Sequence, residues 1–498
     1  MNFAYTIVPE IQYTYDVHSF KVRGFDFTKR RGRLALMRRE EGRMTKSLLI
    51  TNGVVVTMDA ERRILEKGDI LIEGGRIASI GDLRPDVGGA VERIDAAGMV
   101  VMPGLIDTHA HAGHMLTKGL GEDSEQWMET TGRIYAEATD IEFWSAEAAL
   151  SAFERIRCGT TTAALLFGGG PDIMRTEAPE AAQAHLAAIA DMGVREVLAV
   201  GPNRPSNAHL YRNYTHGSYT NIVVDPMQQL SVCAELIDDW AGRNDCLQVA
   251  LSLPVFDAKE LENEVVFDLS RQARALAREK GVLLIQDGHR EGSIAANAAR
   301  LDLFDHRSLL AHCIELTEED FAALKRTGAK VAHNPSALMS VFGRCPAPEL
   351  MEAGVTVSLG TDAAAPDRPF DMFRNMFQAH RYHARHFKDD SVLPPMQLLE
   401  MATIEGARAL SMDAEIGSLE VGKRADIILV NMRQPHLWPP VNPVQRLTRF
   451  ANGADVDTTI VGGRVLMRSR RLVHHDENAI LDRAECAFHR MMERMALA

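Results

Sequence analysis

The sequence lacks several patterns that would assign it to particular classes of protein. No uninterrupted apolar run approaches the roughly 18 residues that a membrane-spanning helix needs, so we expect no membrane partner. The six cysteines include no Cys-x-x-Cys pair, which predicts reduced thiols in a cytoplasmic protein rather than a redox or zinc-ribbon motif. The 55 basic residues are outnumbered by 68 acidic ones, and the net charge of -13 argues against a nucleic-acid partner.

Motifs for phosphate binding and for serine chemistry are also missing. The glycines at 168–170 follow a predicted strand, but they lack the GxGxxG spacing and a following lysine. No serine-elbow pattern is present. Chemistry on a small-molecule substrate would therefore have to use other residues.

The length and the composition predict a large domain with a smaller companion. The chain has 498 residues, 46% of them hydrophobic. This length is greater than that of a protein with one compact core. Residues 1–43 differ from the rest and include a basic patch from Lys29 to Arg39. We interpret them as an extension, or as the result of a start codon placed too early, with the domain proper opening at Met44. A nucleic-acid or targeting arm is the alternative interpretation.

The pattern of hydrophobic residues predicts a (β/α)8 barrel with a composite β-sandwich. Short β-rich runs separated by glycine and asparagine turns occur near both ends, and we assign 44–99 and 413–475 to one sandwich. Between them, in 100–412, eight strand-like runs alternate with helical segments, as in a (β/α)8 barrel. Residues 476–498 have helical spacing and are predicted to pack on the barrel or on a second subunit of a homo-oligomer.

Histidines and an aspartate lie where several predicted barrel strands end. His109 and His111 follow the run Val100–Ile106, and alternate residues of a strand point to one face. Two neutral imidazoles placed in this way can share a transition-metal ion. Later strand-like runs end at His312, His333 and Asp362. A buried histidine is often only hydrogen-bonded, and Asp362 could cap a helix, but a shared strand-end position favours one site.

Four sequence segments carry a resemblance to a known family. They are "PGLIDTHAH" at 103–111, "AHC" at 311–313, "SLGTD" at 358–362 and "GSLEVGKRAD" at 417–426. With them the chain resembles the amidohydrolase superfamily, and within it the chlorohydrolase and aminohydrolase branch, over roughly residues 46–468. The resemblance implies a metal-dependent barrel with a composite sandwich.

The resemblance also implies roles for individual residues. His109, His111 and Asp362 would bind the metal, and Asp362 would also accept the proton of the metal's water molecule. His312 would contact the substrate or the nucleophile. We assign His333 and His114, which lie close to these positions, to substrate binding.

The lysine distribution predicts a single metal. Binuclear members of the superfamily bridge their ions through a carboxylated lysine at the end of the fourth strand, and no lysine occurs between Lys118 and Lys259. One divalent ion per subunit is therefore expected, with zinc as the first choice and iron, cobalt or manganese as alternatives. Such an ion lowers the pKa of its water to about 7, which supplies hydroxide at neutral pH.

The fifth strand departs from the pattern of the branch, which typically places a ligand histidine there and a glutamate three residues later. Here the usual ligand position falls near Asp287, and His289 and Glu291 follow it. A bulge at Gly288 could bring His289 to the metal, or else Asp287 or Gln286 takes that place. We favour His289, because neutral imidazole suits zinc, iron and cobalt better than an amide does. Glu291 is then the candidate for a further acid–base group.

The missing His-x-x-Glu spacing weakens the interpretation as a heterocycle deaminase, since those enzymes use the glutamate to protonate a ring nitrogen. The segments 370–387 and 391–395 resemble the subgroup that includes phenylurea hydrolases and molinate hydrolase. This implies hydrolysis of a urea, anilide, carbamate or thiocarbamate bond in a small hydrophobic, often xenobiotic, compound. Two alternatives stay open: an aminohydrolase of a purine, triazine or adenosyl compound, and a metal-free barrel that serves as a scaffold.

Overall fold

The computed structural model describes residues 47–82, 91–121, 123–168, 173–205, 210–215, 218–337, 342–364 and 368–496. The predicted extension at 1–43 lies outside these residues. The described part contains a nine-stranded sheet, an eight-stranded sheet and a two-stranded hairpin. None of the helices described there is both long and apolar enough to cross a membrane.

Both ends of the chain contribute to the nine-stranded sheet. Its members are β1 (Leu48–Val56), β2 (Ile64–Glu73), β3 (Arg76–Gly81), β4 (Glu92–Asp95), β5 (Met99–Pro103), β16 (Ile427–Asn431), β17 (Val456–Val461), β18 (Arg464–Arg468) and β19 (Arg471–Leu472). Strand β5 joins the two halves, because it pairs parallel with β1 and antiparallel with β16. Buried Ile50, Val101 and Ile427 belong to one hydrophobic cluster beneath this sheet.

The eight-stranded sheet is parallel and forms the predicted barrel. Its order around the barrel is β15-β14-β13-β12-β11-β8-β7-β6. The strands are β6 (Leu105–Ala112), β7 (Thr160–Phe167), β8 (Arg195–Val200), β11 (Leu247–Ser252), β12 (Leu284–Gln286), β13 (Ser308–Ala311), β14 (Lys330–His333) and β15 (Val357–Leu359). A nearly closed α/β barrel with a sheet built from both chain ends confirms the predicted fold class.

Helices follow most barrel strands, as their apolar periodicity predicts. The described helices are α1 (Ser124–Glu137), α2 (Ile141–Arg157), α3 (Glu180–Met192), α4 (Pro226–Trp240), α5 (Glu264–Lys280), α6 (Ser293–Leu301), α7 (Glu318–Thr327), α8 (Ala347–Glu352), α9 (Met372–Phe387), α10 (Pro395–Met401), α11 (Ile404–Ala409), α12 (Pro443–Arg449) and α13 (Glu477–Ala496). The hairpin of β9 (Leu210–Thr215) and β10 (Ser218–Val223) interrupts this alternation, and the sequence did not predict it.

The predicted strand over 100–106 is in fact two strands in two different sheets. The chain leaves the outer sheet at Pro103 and enters the barrel at Leu105. A Cβ atom on Gly104 would lie 2.1 Å from the Thr161 hydroxyl oxygen, so only glycine fits at this crossing. Strand β6 runs on to Ala112, and His109 and His111 therefore lie within it rather than beyond its end.

The seam between β15 and β6 almost closes the barrel and fixes two site residues side by side. The Thr108 hydroxyl lies 2.8 Å from the Ser358 hydroxyl. Asp107 accepts a hydrogen bond of 2.9 Å from the backbone N–H of Thr361. The next backbone N–H, that of Asp362, donates to the carbonyl oxygen of His109 at 2.8 Å. The seam therefore holds the backbone of Asp362 beside that of His109.

The C-terminal helix α13 packs on helix α2 of the same chain. Its Arg483 pairs with Glu142, which lies near the start of α2. Its Arg494 donates to Asp140, the N-cap of α2, at 2.7 Å. Ile480 and Met491 of α13 are buried. The sequence left open whether this helix packs on the barrel or on a second subunit. In the structure it packs on a barrel helix of its own chain.

Candidate active site

Five side chains converge at the C-terminal ends of the barrel strands. His109 and His111 come from β6, Asp287 follows β12, His312 follows β13, and Asp362 follows β15. The Nε2 atom of His109 lies 3.3 Å from Asp287 Oδ1 and 3.4 Å from Asp362 Oδ1. The Nε2 atom of His111 lies 3.5 Å from Asp287 Oδ2 and 3.1 Å from Asp362 Oδ1. The Nε2 atom of His312 lies 2.9 Å from Asp287 Oδ1.

The spacing of these atoms is typical of ligands around one divalent metal ion rather than of hydrogen bonds between the side chains. His109 Nε2 and Asp287 Oδ1 are buried, and neither makes a hydrogen bond to any described residue despite their short separation. Ligands about 2.1 Å from a tetrahedral ion lie roughly 3.4 Å apart, close to the nitrogen–oxygen distances in this cluster. Two overlapping groups meet this geometry, one of His109, Asp287 and His312 and one of His109, His111 and Asp362.

The electrostatics of the cluster favour positive charge between its two carboxylates. Burial alone would lower the pKa of the two β6 histidines, but the carboxylates of Asp287 and Asp362 outweigh it. They raise the pKa of His109 to about 9 and that of His111 to about 10. Burial would raise the pKa of both aspartates, yet the imidazoles hold each well below its usual value. Both carboxylates are therefore ionised and available as ligands.

Metal binding is expected to release protons at neutral pH. Below a pKa of about 9 the imidazoles of His109 and His111 are protonated in the metal-free protein, so a metal ion must displace those protons. Metal affinity should therefore fall as the pH falls, and binding should release about two protons per ion. Calorimetry of zinc binding in buffers of different ionisation enthalpy measures this number. Affinity that is independent of pH between about 6 and 8 would contradict the assignment.

The backbone at two site residues is strained in a way that aims their side chains. His312 has φ 70° and Asp362 has φ 63°, both in the left-handed region that residues other than glycine rarely adopt. Such strain costs roughly 1–3 kcal/mol and persists where the surrounding structure enforces it, often at functional sites. Here the backbone N–H of His312 donates to the Ala332 carbonyl at 3.1 Å, which ties the turn to the neighbouring strand β14.

The structure does not bring His289 into the cluster. Gly288 has φ 92°, as the predicted bulge requires, but the imidazole of His289 lies outside the cluster. Its Nδ1 lies 2.9 Å from the Ser293 hydroxyl, and its Nε2 lies 3.2 Å from the side-chain oxygen of Gln286. Asp287 lies in the cluster, at the position that we predicted for His289. The geometry therefore favours the other fifth-strand alternative, with Asp287 rather than Gln286.

Glu291 also lies away from the cluster. It is exposed, like Arg290, which stands three residues after Asp287, where the branch typically places its glutamate. The predicted acid–base role of Glu291 has no support in this geometry. Among the described residues, the carboxylates in the candidate metal groups are those of Asp287 and Asp362.

His114 lies against the cluster inside an aromatic wall. Its ring stacks on that of His111, with centroids 4.8 Å apart, and on that of Tyr135, with centroids 5.8 Å apart. The edge of Trp127, from α1, completes the wall at 5.1 Å. Both ring nitrogens of His114 are buried without a hydrogen-bond partner among the described residues. A substrate that supplies an acceptor and a donor would satisfy them, which is consistent with the predicted role of His114 in substrate binding.

His333 and Arg368 complete the surroundings. His333 ends β14, and the register of β13 with β14 places it beside His312. Arg368 Nη1 lies 3.5 Å from Asp362 Oδ2 and is buried. Arg368 was not among the predicted site residues, because it lies beyond the last strand in a stretch of sequence with no recognised motif. The motif that ends at Asp362 was the signal nearest to it in the sequence.

The comparisons with known proteins agree with this architecture. A family model described as "Amidohydrolase family" matches residues 277–466. A protein of Syntrophobacter fumaroxidans named 5-methylthioadenosine/S-adenosylhomocysteine deaminase is 31% identical over 466 residues, covering 89% of this chain and 98% of that protein. A Methanosarcina mazei protein named 5'-deoxyadenosine deaminase is 30% identical over 474 residues, covering 90% of this chain and 99% of its own.

Solved structures share the fold at lower sequence identity. An adenosine deaminase from Xanthomonas campestris with bound zinc has a TM-score of 0.76 and 23% identity, covering 90% of this chain and 99% of its own. The atrazine chlorohydrolase of Arthrobacter aurescens TC1, complexed with zinc, has a TM-score of 0.75 and 22% identity, covering 89% of this chain and 100% of its own. The chain belongs to the amidohydrolase family and is a hydrolytic enzyme that acts on carbon–nitrogen bonds.

Proposed function

We propose that His109, His111, Asp287 and Asp362 hold one divalent metal, and that the enzyme deaminates an adenine nucleoside modified at its 5' carbon. The convergence of imidazole nitrogens and carboxylate oxygens at 3.1–3.5 Å is the observation that carries the metal assignment. When bound, the ion supplies a hydroxide nucleophile at neutral pH. Zinc is our first choice, in line with the zinc-bound structures that share this fold.

The substrate class is supported by relatives that match nearly the whole chain. Both full-length relatives described above carry the name of a deaminase of a 5'-modified adenine nucleoside. In this proposal, Asp362 accepts the proton of the attacking water and returns it to the departing amino group. His114, Tyr135 and Trp127 form a buried aromatic wall beside the proposed metal ligands. The ring carbon gains the oxygen of the water as a carbonyl and loses its amino group as ammonia, and the remaining hydrogen ends on the adjacent ring nitrogen.

A specific observation supports a second candidate function, hydrolysis of a urea, anilide, carbamate or thiocarbamate. Deaminases of this branch use a glutamate to protonate the ring nitrogen, and here Arg290 stands at that position and is exposed. Deamination would need another donor, for which His312, 2.9 Å from Asp287, is the candidate. Substrates with an acyclic carbonyl carbon have no ring nitrogen to protonate. Their hydrolysis therefore does not need the glutamate that Arg290 replaces.

The product released distinguishes the two candidates. The zinc-loaded enzyme should be incubated with 5'-deoxyadenosine and 5'-methylthioadenosine, and separately with N-aryl ureas, anilides, thiocarbamates and aminotriazines. We expect ammonia and loss of the adenine absorbance, with kcat/KM of about 10⁴ M⁻¹s⁻¹ or more on a good substrate. Release of an organic amine alone would establish the second candidate. A metal-loaded enzyme that is inactive on every compound would contradict both.

The sequence also predicts the cellular location and the oligomeric state, and both are part of this proposal. We propose a cytoplasmic location, on the basis of six free cysteines without a Cys-x-x-Cys pair. We also propose a homo-oligomer. Apolar side chains of the β9–β10 hairpin are exposed, among them Leu210 and Val223, and are available for contacts between subunits. Size-exclusion chromatography with light scattering measures the subunit number.

A further inference from the structure

A second pair of histidines lies behind the candidate metal cluster. His333 ends strand β14, and His383 lies on the face of α9 that packs against the barrel. Their Nε2 atoms are 3.2 Å apart, and their ring centroids are 5.1 Å apart. Both side chains are buried, with 2% of His333 and none of His383 exposed. Neither residue belongs to the groups of described side chains that could hold the metal.

This contact requires a definite placement of hydrogens. Burial, reinforced by the charge of Arg344, lowers the pKa of His383 to about 4. Burial and the nearby His383 hold the pKa of His333 well below its usual value. Both rings are therefore neutral at pH 7, and a hydrogen bond between their Nε2 atoms needs a hydrogen on one of them only.

The surroundings of His383 decide which ring donates. Its Nδ1 is buried without a hydrogen-bond partner among the described residues. A hydrogen on that atom would be an unsatisfied buried donor, which is rarer and more costly than an unused lone pair. The positive charge of Arg344 also favours a lone pair over an N–H on the neighbouring ring. His383 therefore carries its hydrogen on Nε2 and donates it to His333.

The tautomer of His333 follows from that donation. Because its Nε2 accepts, its one hydrogen must lie on Nδ1. The hydrogen bond recorded for this ring within the described part of the chain is the one between its Nε2 and His383. We propose that His383 is a positioning residue that fixes His333 as an Nδ1–H donor to an acceptor atom of the substrate. This inference rests on the proposed function, since it assigns His333 to the substrate side of the same site.

The tautomer can be measured without any substrate. In zinc-loaded enzyme labelled with ¹⁵N-histidine, long-range ¹H–¹⁵N correlations report which nitrogen of each neutral ring carries hydrogen. We expect the Nδ1–H form for His333, and we expect loss of that single form in the His383→Phe variant. Signals are assigned by comparison with His333→Gln. A His333 ring with hydrogen on Nε2 in the unmodified enzyme would overturn the proposal even if the substrate class is correct.

Kinetics on the substrate then test whether His383 acts through His333. The His383→Phe variant should lower kcat/KM about tenfold, the effect of one lost hydrogen bond. The His383→Gln variant, whose amide can still donate, should stay within about threefold of the unmodified enzyme. The His333→Phe/His383→Phe double variant should be no slower than His333→Phe alone, because the two residues form one unit. If the fold-losses in kcat/KM of the two single variants multiply in the double variant, the residues act independently and the proposal is overturned.

His380 provides a matched control on the same helix. It is a buried histidine three residues before His383, and its Nδ1 lies 3.2 Å from the Val392 carbonyl rather than near His333. The His380→Gln variant should leave kcat/KM within about twofold. Melting temperature and metal content are measured for every variant. If His380→Gln matches the kinetic loss of His383→Phe at equal metal content, the effect is general to the helix and the proposal fails.

Discussion

Replacing Asp287 by alanine is expected to abolish stable metal binding. Structural zinc sites bind with about 10–16 kcal/mol, so one of four ligands contributes roughly 3 kcal/mol, or about a hundredfold in affinity. Asp287 is also one of the two carboxylates whose charge acts on the β6 histidines, so its loss removes more than one bond. Metal content after dialysis against a chelator should fall from about one ion per chain to less than about a tenth.

Two companion variants make this prediction specific. His289→Gln should keep about one metal per chain, because His289 is engaged with Ser293 and Gln286 rather than with the cluster. Asp287→His installs the imidazole that the branch typically carries, and it should also retain metal. Retention of metal in Asp287→Ala together with its loss in His289→Gln would restore His289 as the fifth-strand ligand.

Replacing Asp362 by asparagine is expected to lower kcat about 10³-fold while the metal stays bound. The amide keeps the shape of the carboxylate and one oxygen ligand, but it cannot take up the proton of the attacking water. Acid–base groups of this kind contribute typically 10²–10⁴-fold. The rate is measured at saturating substrate and expressed per bound metal, so that a loss of affinity is not mistaken for a loss of chemistry.

Asp371 offers a control with a structural role only. It caps α9, accepting hydrogen bonds from the backbone of Phe373 at 2.9 Å and of Gly453 at 3.0 Å. Asp371→Ala should lower the free energy of unfolding by about 1 kcal/mol and leave kcat per bound metal unchanged. If Asp362→Asn keeps kcat within about threefold of the unmodified enzyme, Asp362 is not the proton acceptor.

The barrel could be predicted from the sequence because its strands are marked by local patterns. Strands β7 and β13 match the predicted runs 160–167 and 308–311 residue for residue, since each is a buried apolar segment between turn signals. The hairpin β9–β10 escaped prediction because its second strand is almost wholly exposed and carries no apolar alternation. The pattern identifies a strand only where one of its faces is buried.

At the fifth strand, the prediction from ligand chemistry and the geometry of the structure point to different residues. We preferred His289 because an imidazole is the better ligand for zinc, but the direction of the chain decides which side chain reaches the site. A single left-handed residue, Gly288, sends His289 to Ser293 and leaves Asp287 at the cluster. Counting residues from the start of the strand points to Asp287, the residue that the structure places in the cluster, whereas the preference for an imidazole points to His289.

Contacts between distant segments could not be predicted at all. His333 and His383 are 50 residues apart in the chain, and Arg368 lies beside Asp362, which is six residues earlier. Each pair depends on how a helix or loop docks on the barrel, for which a single sequence carries no local signal. The site could thus be predicted where side chains lie at strand ends, and not where the packing of helices brings them together.

Anomalous diffraction from crystals of the zinc-loaded enzyme is the most direct test of the proposed metal centre. We expect one anomalous peak per chain, with nitrogen atoms of His109 and His111 and oxygen atoms of Asp287 and Asp362 at about 2.0–2.2 Å. The ring of His289 should remain hydrogen-bonded to Ser293. A peak bound by His289 instead of Asp287, or the absence of any peak at the barrel mouth, would contradict the account.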